Sequence, residues 1–406
     1  MSIQEKLEIS KITGILDVSY MNLTSLPELP PNLVELYCSK NNLTSLPDLP
    51  NTLEILNCER NELIRLPTLP KKLKILDIFN NYILSLPDLP PNLVELKCES
   101  NVLSQLPLLP DSLKILYCER NQLKELPELP PNLSLLTCKL NLLTELPELP
   151  PSLIGLTCCG NILRVLPTLP KSLLSLTCGL NKLEILPELP PNLIELDCRN
   201  NFLKYLPNLP VTLNILWCSI NSISSLPNLP HNLLELDCKN NSIQTLPELP
   251  DSLILLDCST NKITTLPKLP NSLKNCLCST NCLSSLPSLP PKLCSLWCNG
   301  NNLKILPEPS LCLIDLICYS NPFDPLLNTF IESYDPVKGL NTFYNEQRII
   351  KQQLVCLNEI QNMLVKISIL NDDVINIIAT YISGIDDILS EQIMILKNNF
   401  ILKVVI

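Results

Sequence analysis

The chain has 406 residues, of which 46% are hydrophobic and 17% charged, and its formal net charge is −10. That balance excludes the positive footprint that nucleic-acid binding needs, and no apolar run of about 18 residues offers a membrane span. Thirty-nine prolines beside seven glycines would suggest a disordered linker, but these prolines are periodic, so that reading fails.

The opening MSIQEKLEIS is charged and lacks the apolar centre of a signal peptide. Residues 1–11 are too few for a domain. Residues 12–25 read as a degenerate first copy of the unit that follows: Leu16, Val18 and Leu23 hold apolar columns, and Met21 stands where asparagine later recurs. Residues 1–25 are therefore expected to be an N-terminal cap plus an atypical first repeat, because terminal repeats cover an open core end.

From Leu26 the unit LPELPPNLVELYCSKNNLTS returns every 20 residues, and residues 26–323 form one unbroken array. Its opening leucine–proline pair recurs at 15 positions from Leu26 to Leu306. A period of 20 with this leucine spacing marks a leucine-rich repeat. Leu36 and Cys38 share one face of an extended strand, and Glu35, Tyr37 and Ser39 share the other. One copy cannot bury its apolar face alone, so copies stack into a parallel sheet at about 4.8 Å per strand, giving an arc of roughly 70–75 Å. Leu26, Leu29, Leu33, Leu36, Cys38 and Leu43 are expected inside each coil. An asparagine column of 15 positions, Asn41 to Asn321, supplies amides for backbone groups freed where the strand turns. Pro27 and Pro30 fix φ and remove two donors per copy, so the return segment is expected to be short and polyproline-like rather than helical. The fold class is thus an α/β-type solenoid: a leucine-rich repeat arc with a concave parallel sheet, polyproline-like convex segments and a small helical C-terminal region.

An acidic residue fills the variable LPxLP position at Glu28, Asp48, Asp88, Glu128, Glu148, Glu188, Glu248 and Glu308. This is an outer ridge, read first as a solvated face that keeps the solenoid soluble. Of 20 cysteines, 14 occupy one interior column in which Val18 and Ile78 substitute. Interchange with Val and Ile marks an apolar site, and in-register parallel strands aim neighbouring thiols the same way rather than at each other. A reduced, intracellular, cytoplasmic protein is expected.

The outward strand positions line the concave face. The column beginning at Tyr37 holds Tyr117, Asp197, Trp217, Asp237, Asp257 and Trp297, and it contains both tryptophans of the protein, four strands or about 19 Å apart. Exposed aromatics framed by charge have the composition of an interface core, although scattered surface aromatics are also ordinary. Cysteines thicken at Cys276, Cys282, Cys294 and Cys312, but their spacing suits no zinc site and the single histidine, His231, is distant. With one histidine and few glycines, neither a catalytic triad nor a phosphate loop is expected, so no enzyme activity, cofactor or metal is assigned.

At Pro322-Phe323-Asp324-Pro325 the repeat stops, and residues 324–406 form a helical C-terminal region. Apolar residues at helical intervals predict one long amphipathic helix over 344–370. Asn371-Asp372-Asp373 would cap a second helix to about Ser383, and a third would follow over 385–397.

The motif LPxLPxxLxxLxCxxNxLxx resembles the LPX class of leucine-rich repeats, found in bacterial type III-secreted effectors and in giant-virus (mimivirus-like) leucine-rich repeat proteins. The resemblance covers about residues 12–323 and implies an interaction module acting on host proteins, in host cytoplasm if viral. Some effectors add a ubiquitin-ligase domain with a Cys-x-Asp motif. The tail cysteine here reads Cys356-Leu-Asn, so that activity is not carried over. The effectors also place a helical pair before the repeats, and this chain has only a short leader there. The stretch 370–383 resembles the first helix of an F-box without its usual proline, which leaves a C-terminal cap and a ligase-recruiting helix as alternatives. The sequence therefore predicts a non-catalytic module whose concave face holds a protein partner with a basic patch. The competing reading is a substrate adaptor whose tail docks a ubiquitin-ligase scaffold.

Overall fold

The computed structural model describes residues 1–331 and 335–367. The chain divides after Thr329, and each side of that division is described by itself.

The first unit opens with α1 (Ile3–Thr13). Ser2 Oγ accepts from the Glu5 amide and Glu5 Oε2 accepts from the Ser2 amide, a reciprocal cap that satisfies two otherwise orphaned donors. Gly14, at φ 72°, closes the helix by donating to Ser10 O, a backbone conformation that glycine adopts at little cost. The Gly14 carbonyl then accepts from Val34 and Glu35, so the helix hands the chain directly to the sheet.

Sixteen three-residue strands follow, from β1 (Ile15–Asp17) and β2 (Glu35–Tyr37) through β16 (Asp315–Ile317), each 20 residues after the last. They form one parallel sheet in sequence order, with residue i paired to i+20, as in Leu36↔Leu56. Hydrogen bonding continues past the strand ends: Cys38 N donates to Asn57 O at 2.8 Å, and Glu54 N to Val34 O at 2.8 Å. The middle residue of each strand points inward and the two flanking ones face the concave side, the alternation a pleat imposes.

Leu33, Leu36, Cys38 and Leu43 are completely buried, as are their counterparts through most of the array. Each such leucine contributes about 1.5–3 kcal/mol by leaving water. The leucines that open the convex segments sit nearer the rim: Leu26 is only half-buried, and Leu46 and Leu66 keep 9% exposure. The LPxLP segments carry neither helix nor strand. Each ends in a tight turn, as where Leu33 N donates to Pro30 O (3.1 Å) across Pro31-Asn32; proline presets φ at the first central position there and at Pro91, Pro131, Pro151, Pro191 and Pro291. The next coil reinforces that corner: Thr52 Oγ1 donates to Leu33 O at 2.6 Å and Ser112 Oγ to Leu93 O at 2.7 Å.

The asparagine column forms a continuous ladder. Asn161 Nδ2 donates to Cys158 O of its own coil and Cys138 O of the preceding one, both at 3.0 Å, while its Oδ1 accepts from Leu143 N at 3.0 Å. All 15 asparagines from Asn41 to Asn321 donate in this pattern. Each cysteine carbonyl in the middle of the array is consequently held by two amides. In the first coil, where Met21 replaces asparagine, the Met21 amide donates to Asn41 Oδ1 at 3.0 Å.

The residue before each asparagine is left-handed. From Lys40 (φ 56°) to Ser320 (φ 55°) every coil has a positive φ here, including Leu140, Leu180, Ile220, Thr260 and Thr280. This conformation costs a residue with a Cβ about 1–2 kcal/mol, and the bonds on either side of it hold the turn in place.

All 14 column cysteines lie inside, at most 3% exposed. Burial pushes their thiols up, to about 12 for Cys38 and about 11 for Cys318.

The second unit holds most of α3 (Pro336–Ile367), and α2 (Pro325–Ile331) spans the division. The long helix begins at Pro336, eight residues before the start inferred from apolar spacing. Asp335 Oδ1 accepts from Lys338 N at 3.0 Å and proline takes the first helical position, a start signal stronger than the periodicity that follows. Asp324 and Pro325 open α2 the same way, with Leu326 N donating to Asp324 Oδ1 at 3.0 Å. Phe330 and Phe343 meet edge-on at 5.7 Å. The expected second and third helices and the F-box-like stretch lie outside the described residues.

Candidate protein-interaction surface

The concave face consists of the first and third residues of every strand. Asp197, Trp217, Asp237 and Asp257 fall on four consecutive strands, β10 (Glu195–Asp197) to β13 (Leu255–Asp257), in direct register. Trp297 stands two strands further on, in β15 (Ser295–Trp297). Tyr37 and Tyr117 are distant, in β2 and in β6 (Ile115–Tyr117).

The aspartates of this column are anchored rather than displayed. Asp197, Asp237 and Asp257 are 6–8% exposed. Each accepts from the backbone amide two residues on, at Arg199 (3.1 Å), Lys239 (3.2 Å) and Ser259 (3.1 Å). Asp17 and Asp77 do the same for Ser19 and Phe79, and Asn57 for Glu59. A short acceptor side chain here closes an Asx-type turn where the strand ends, which accounts for the column without a ligand. Ser219 Oγ adds a bond to Asp237 Oδ2 at 2.8 Å, and burial still raises the Asp237 carboxyl above its ordinary range. Lys239 Nζ lies 3.5 Å from Asp257 Oδ2.

The tryptophans are held in two different ways. Asp197 grips Arg199 through both oxygens, with Nε–Oδ1 2.9 Å and Nη2–Oδ2 2.8 Å. The guanidinium so fixed lies 4.7 Å from the centre of the Trp217 ring, a cation–π stack across adjacent coils. Trp217 is half-buried beneath it. Trp297 is 38% exposed, and its Nε1 donates to Asp315 Oδ2 at 2.6 Å; Ser295 Oγ donates to the same oxygen at 2.7 Å. Asp315 escaped the sequence reading because it lies 18 residues from the indole it holds, an offset visible only once coils are stacked. Near the start of the array, Tyr37 Oη donates to Glu35 Oε2 at 2.9 Å, and burial with that neighbouring carboxylate raises the phenol.

The N-terminal half of the face holds ion pairs of its own. Lys97 pairs with Glu95 at 2.8 Å and Lys139 with Glu119 at 3.4 Å, and Thr137 donates to the same Glu119. Between them, Glu99 Oε2 is the buried side-chain oxygen left without a hydrogen bond among the described residues, and burial pushes this carboxyl up to about 7. Among the described residues no cluster of three or more His, Cys, Asp or Glu side chains is arranged to hold a metal. No described helix is long and apolar enough to cross a membrane.

A parallel three-residue-strand sheet with an asparagine ladder and an open concave face defines a leucine-rich repeat interaction module. No protein-family model matches the chain, and no curated protein matches it. Solved structures do. YopM from Yersinia enterocolitica WA-314 is 34% identical over 79% of this chain and 90% of its own, with a TM-score of 0.65. YopM from Yersinia pestis, a leucine-rich effector protein, is 38% identical over 79% of this chain and 88% of its own, with a TM-score of 0.63. The functional domain of InlJ from Listeria monocytogenes, described as including a cysteine ladder, is 24% identical over 63% of this chain and 60% of its own (TM-score 0.53), a likeness of fold. The chain belongs to the leucine-rich repeat family that includes YopM. These matches bear on the bacterial-effector side of the sequence resemblance and not on its giant-virus side.

Proposed function

We propose that this protein is a non-catalytic, effector-like binding module that holds a partner polypeptide against the concave sheet between β10 and β15, with Trp217 and Trp297 as anchors. The observation that carries the reading is Trp297. A large aromatic at 38% exposure, oriented by a 2.6 Å bond to Asp315, is an ordered apolar surface facing a hollow rather than the core. Indoles fixed before binding lose little entropy on docking, which favours them as centres of binding energy. The anchored aspartates leave Glu195 and Glu235, beside them in the face, as the carboxylates that favour a basic patch on the partner. The YopM relatives support the effector class. The interior thiol column suits a reducing cytoplasm. In this reading residues 1–25 cap the start of the array formed by 26–323.

Affinity purification of the full chain from its native cell, with mass spectrometry of what co-elutes, identifies the partner. Substituting Trp217→Ala and Trp297→Ala together is expected to weaken binding of that partner by 10-fold or more, about 1.4 kcal/mol. Binding that survives both substitutions unchanged refutes the anchors.

A further inference from the structure

Away from the concave face, one flank of the array changes character over five coils. Residues at three positions after each strand point to solvent on this flank. In successive coils they present Leu142, Ile162, Val165, Ile185, Phe202 and Tyr205, all exposed, with Phe202 and Tyr205 at 56% and 57%. Backbone bonds such as Ile162 N to Leu143 O (3.0 Å) and Phe202 N to Leu183 O (2.9 Å) keep these coils at ladder spacing, so the side chains form one band spanning three steps, or about 14 Å. The coil before it carries Arg120, Gln122, Lys124 and Glu125, and beyond it stand Asn240, Ser242, Gln244 and Thr245. Within the band Lys182 is the one exposed charge at the column of Leu142, Ile162 and Phe202, and nearer the start Ile64, Tyr82 and Leu84 are exposed at equivalent positions.

The left-handed column supplies a second, independent sign. Leu140, Leu180 and Ile220 occupy it within the same five coils, and all three are 42–54% exposed. Elsewhere in the array that column holds only Lys, Arg, Asn, Ser, Thr or Gly. A bulky apolar residue in this conformation loses backbone energy and, facing water, gains no burial. The backbone cost stays whatever lies over the turn, but the exposure is relieved when the flank is covered. With these three included, the exposed apolar area is on the order of 800 Å², about what each side of a standard interface buries.

The charges bordering the band indicate the occupant. Glu145, Arg164, Glu184 and Lys204 are exposed on four consecutive coils, and none takes part in an ion pair among the described residues. A two-fold axis running across the coils, between those of Arg164 and Glu184, sets Arg164 against Glu184 of a second copy and Glu145 against Lys204. Moving the axis onto the coil of Glu184 would oppose Arg164 to Lys204, a like-charged pair. Alternating signs on consecutive coils make the surface self-complementary to an antiparallel copy, as an isologous contact requires, and the register that opposes all four of these charges has its axis between the coils of Arg164 and Glu184. We propose that this flank is a homodimer interface in which two copies pair antiparallel, leaving both concave sheets open on the same side.

Molar mass measured by light scattering on the full chain, at about 1 to 100 µM, tests this. The wild type is expected to reach the mass of two chains, and Phe202→Glu with Tyr205→Glu to fall to one, with circular dichroism unchanged because both residues are exposed. Tyr82→Glu, on the same flank outside the band, should remain a dimer. Arg164→Glu alone is expected to weaken dimerisation about ten-fold or more, and adding Glu184→Arg to restore it. A wild type that is monomeric throughout, a dimer indifferent to the Phe202 and Tyr205 changes, or a charge reversal that fails to rescue overturns the proposal. Because the concave tryptophans are untouched, loss of the dimer and loss of the partner read out separately.

Discussion

Replacing Asn161 and Asn181 by alanine, singly and together, separates a shared ladder from a row of independent bonds. Asn161→Ala leaves the Leu143 amide without its acceptor, but Cys138 O keeps Asn141 at 3.1 Å and Cys158 O keeps Asn181 at 3.1 Å. Asn181→Ala likewise orphans the Leu163 amide, while Cys158 O keeps Asn161 at 3.0 Å and Cys178 O keeps Asn201 at 3.2 Å. Each single change thus strands one buried donor, at a cost of about 2 kcal/mol. The double change strands a third group, because Cys158 O loses both of its amides, which adds about 1–2 kcal/mol beyond the sum. Asn161 and Asn221 share no carbonyl, so that pair should add to within about 0.5 kcal/mol. Urea unfolding followed by far-UV circular dichroism, fitted with a nearest-neighbour scheme suited to repeat arrays, gives both coupling energies. Equal coupling for the adjacent and the distant pair would refute the shared-carbonyl argument.

Three further outcomes are expected. Thr260→Gly, at φ 56°, should stabilise the array by about 1 kcal/mol in urea unfolding, since glycine adopts this conformation without the Cβ penalty; a loss of stability would show that the threonine side chain matters more than its backbone. Glu99 has a folded pKa near 7 against an ordinary 4.5. Its raised value means stability is fully present below about pH 4.5 and is lost as pH rises through 7. Glu99→Gln should accordingly stabilise the protein at pH 8 and change little at pH 4, and a pH-independent effect rejects the buried-acid account. Finally, iodoacetamide with peptide mapping should label the exposed Cys282 and Cys312 in the native protein well before any column cysteine, whose buried thiols remain protonated. Uniform labelling would place the column in water.

What could be read from sequence was whatever the 20-residue register repeats as a residue type. Leu36, Cys38 and Asn41 recur with one chemistry each, so strand, interior and ladder follow from spacing. The left-handed column recurs just as strictly but holds Lys40, Ser100, Leu140 and Ile220 alike, because the bonds on either side impose the conformation and the side chain does not choose it. Asp197, Asp237 and Asp257 were legible as outward charges. Their second task, closing the turn beneath them, depends on an amide two residues away and on depth in the fold. The α1 helix had a local signature, Ser2-x-x-Glu5, and α3 had Asp335-Pro336, but both were outweighed by the repeat beside them. The Arg199–Trp217 and Trp297–Asp315 contacts join different coils at 18-residue offsets, and no single copy contains them.

The uniform register also makes distance along the arc a matter of arithmetic. Every junction from β2 to β16 uses the same pairing, so excising 20 residues, 227–246, would rejoin like to like. The two indoles would then stand three strands apart instead of four, closer by about 4.8 Å. Copy number acts as a ruler: the gap between two grips on a ligand can be lengthened or shortened in fixed steps without redesigning either grip.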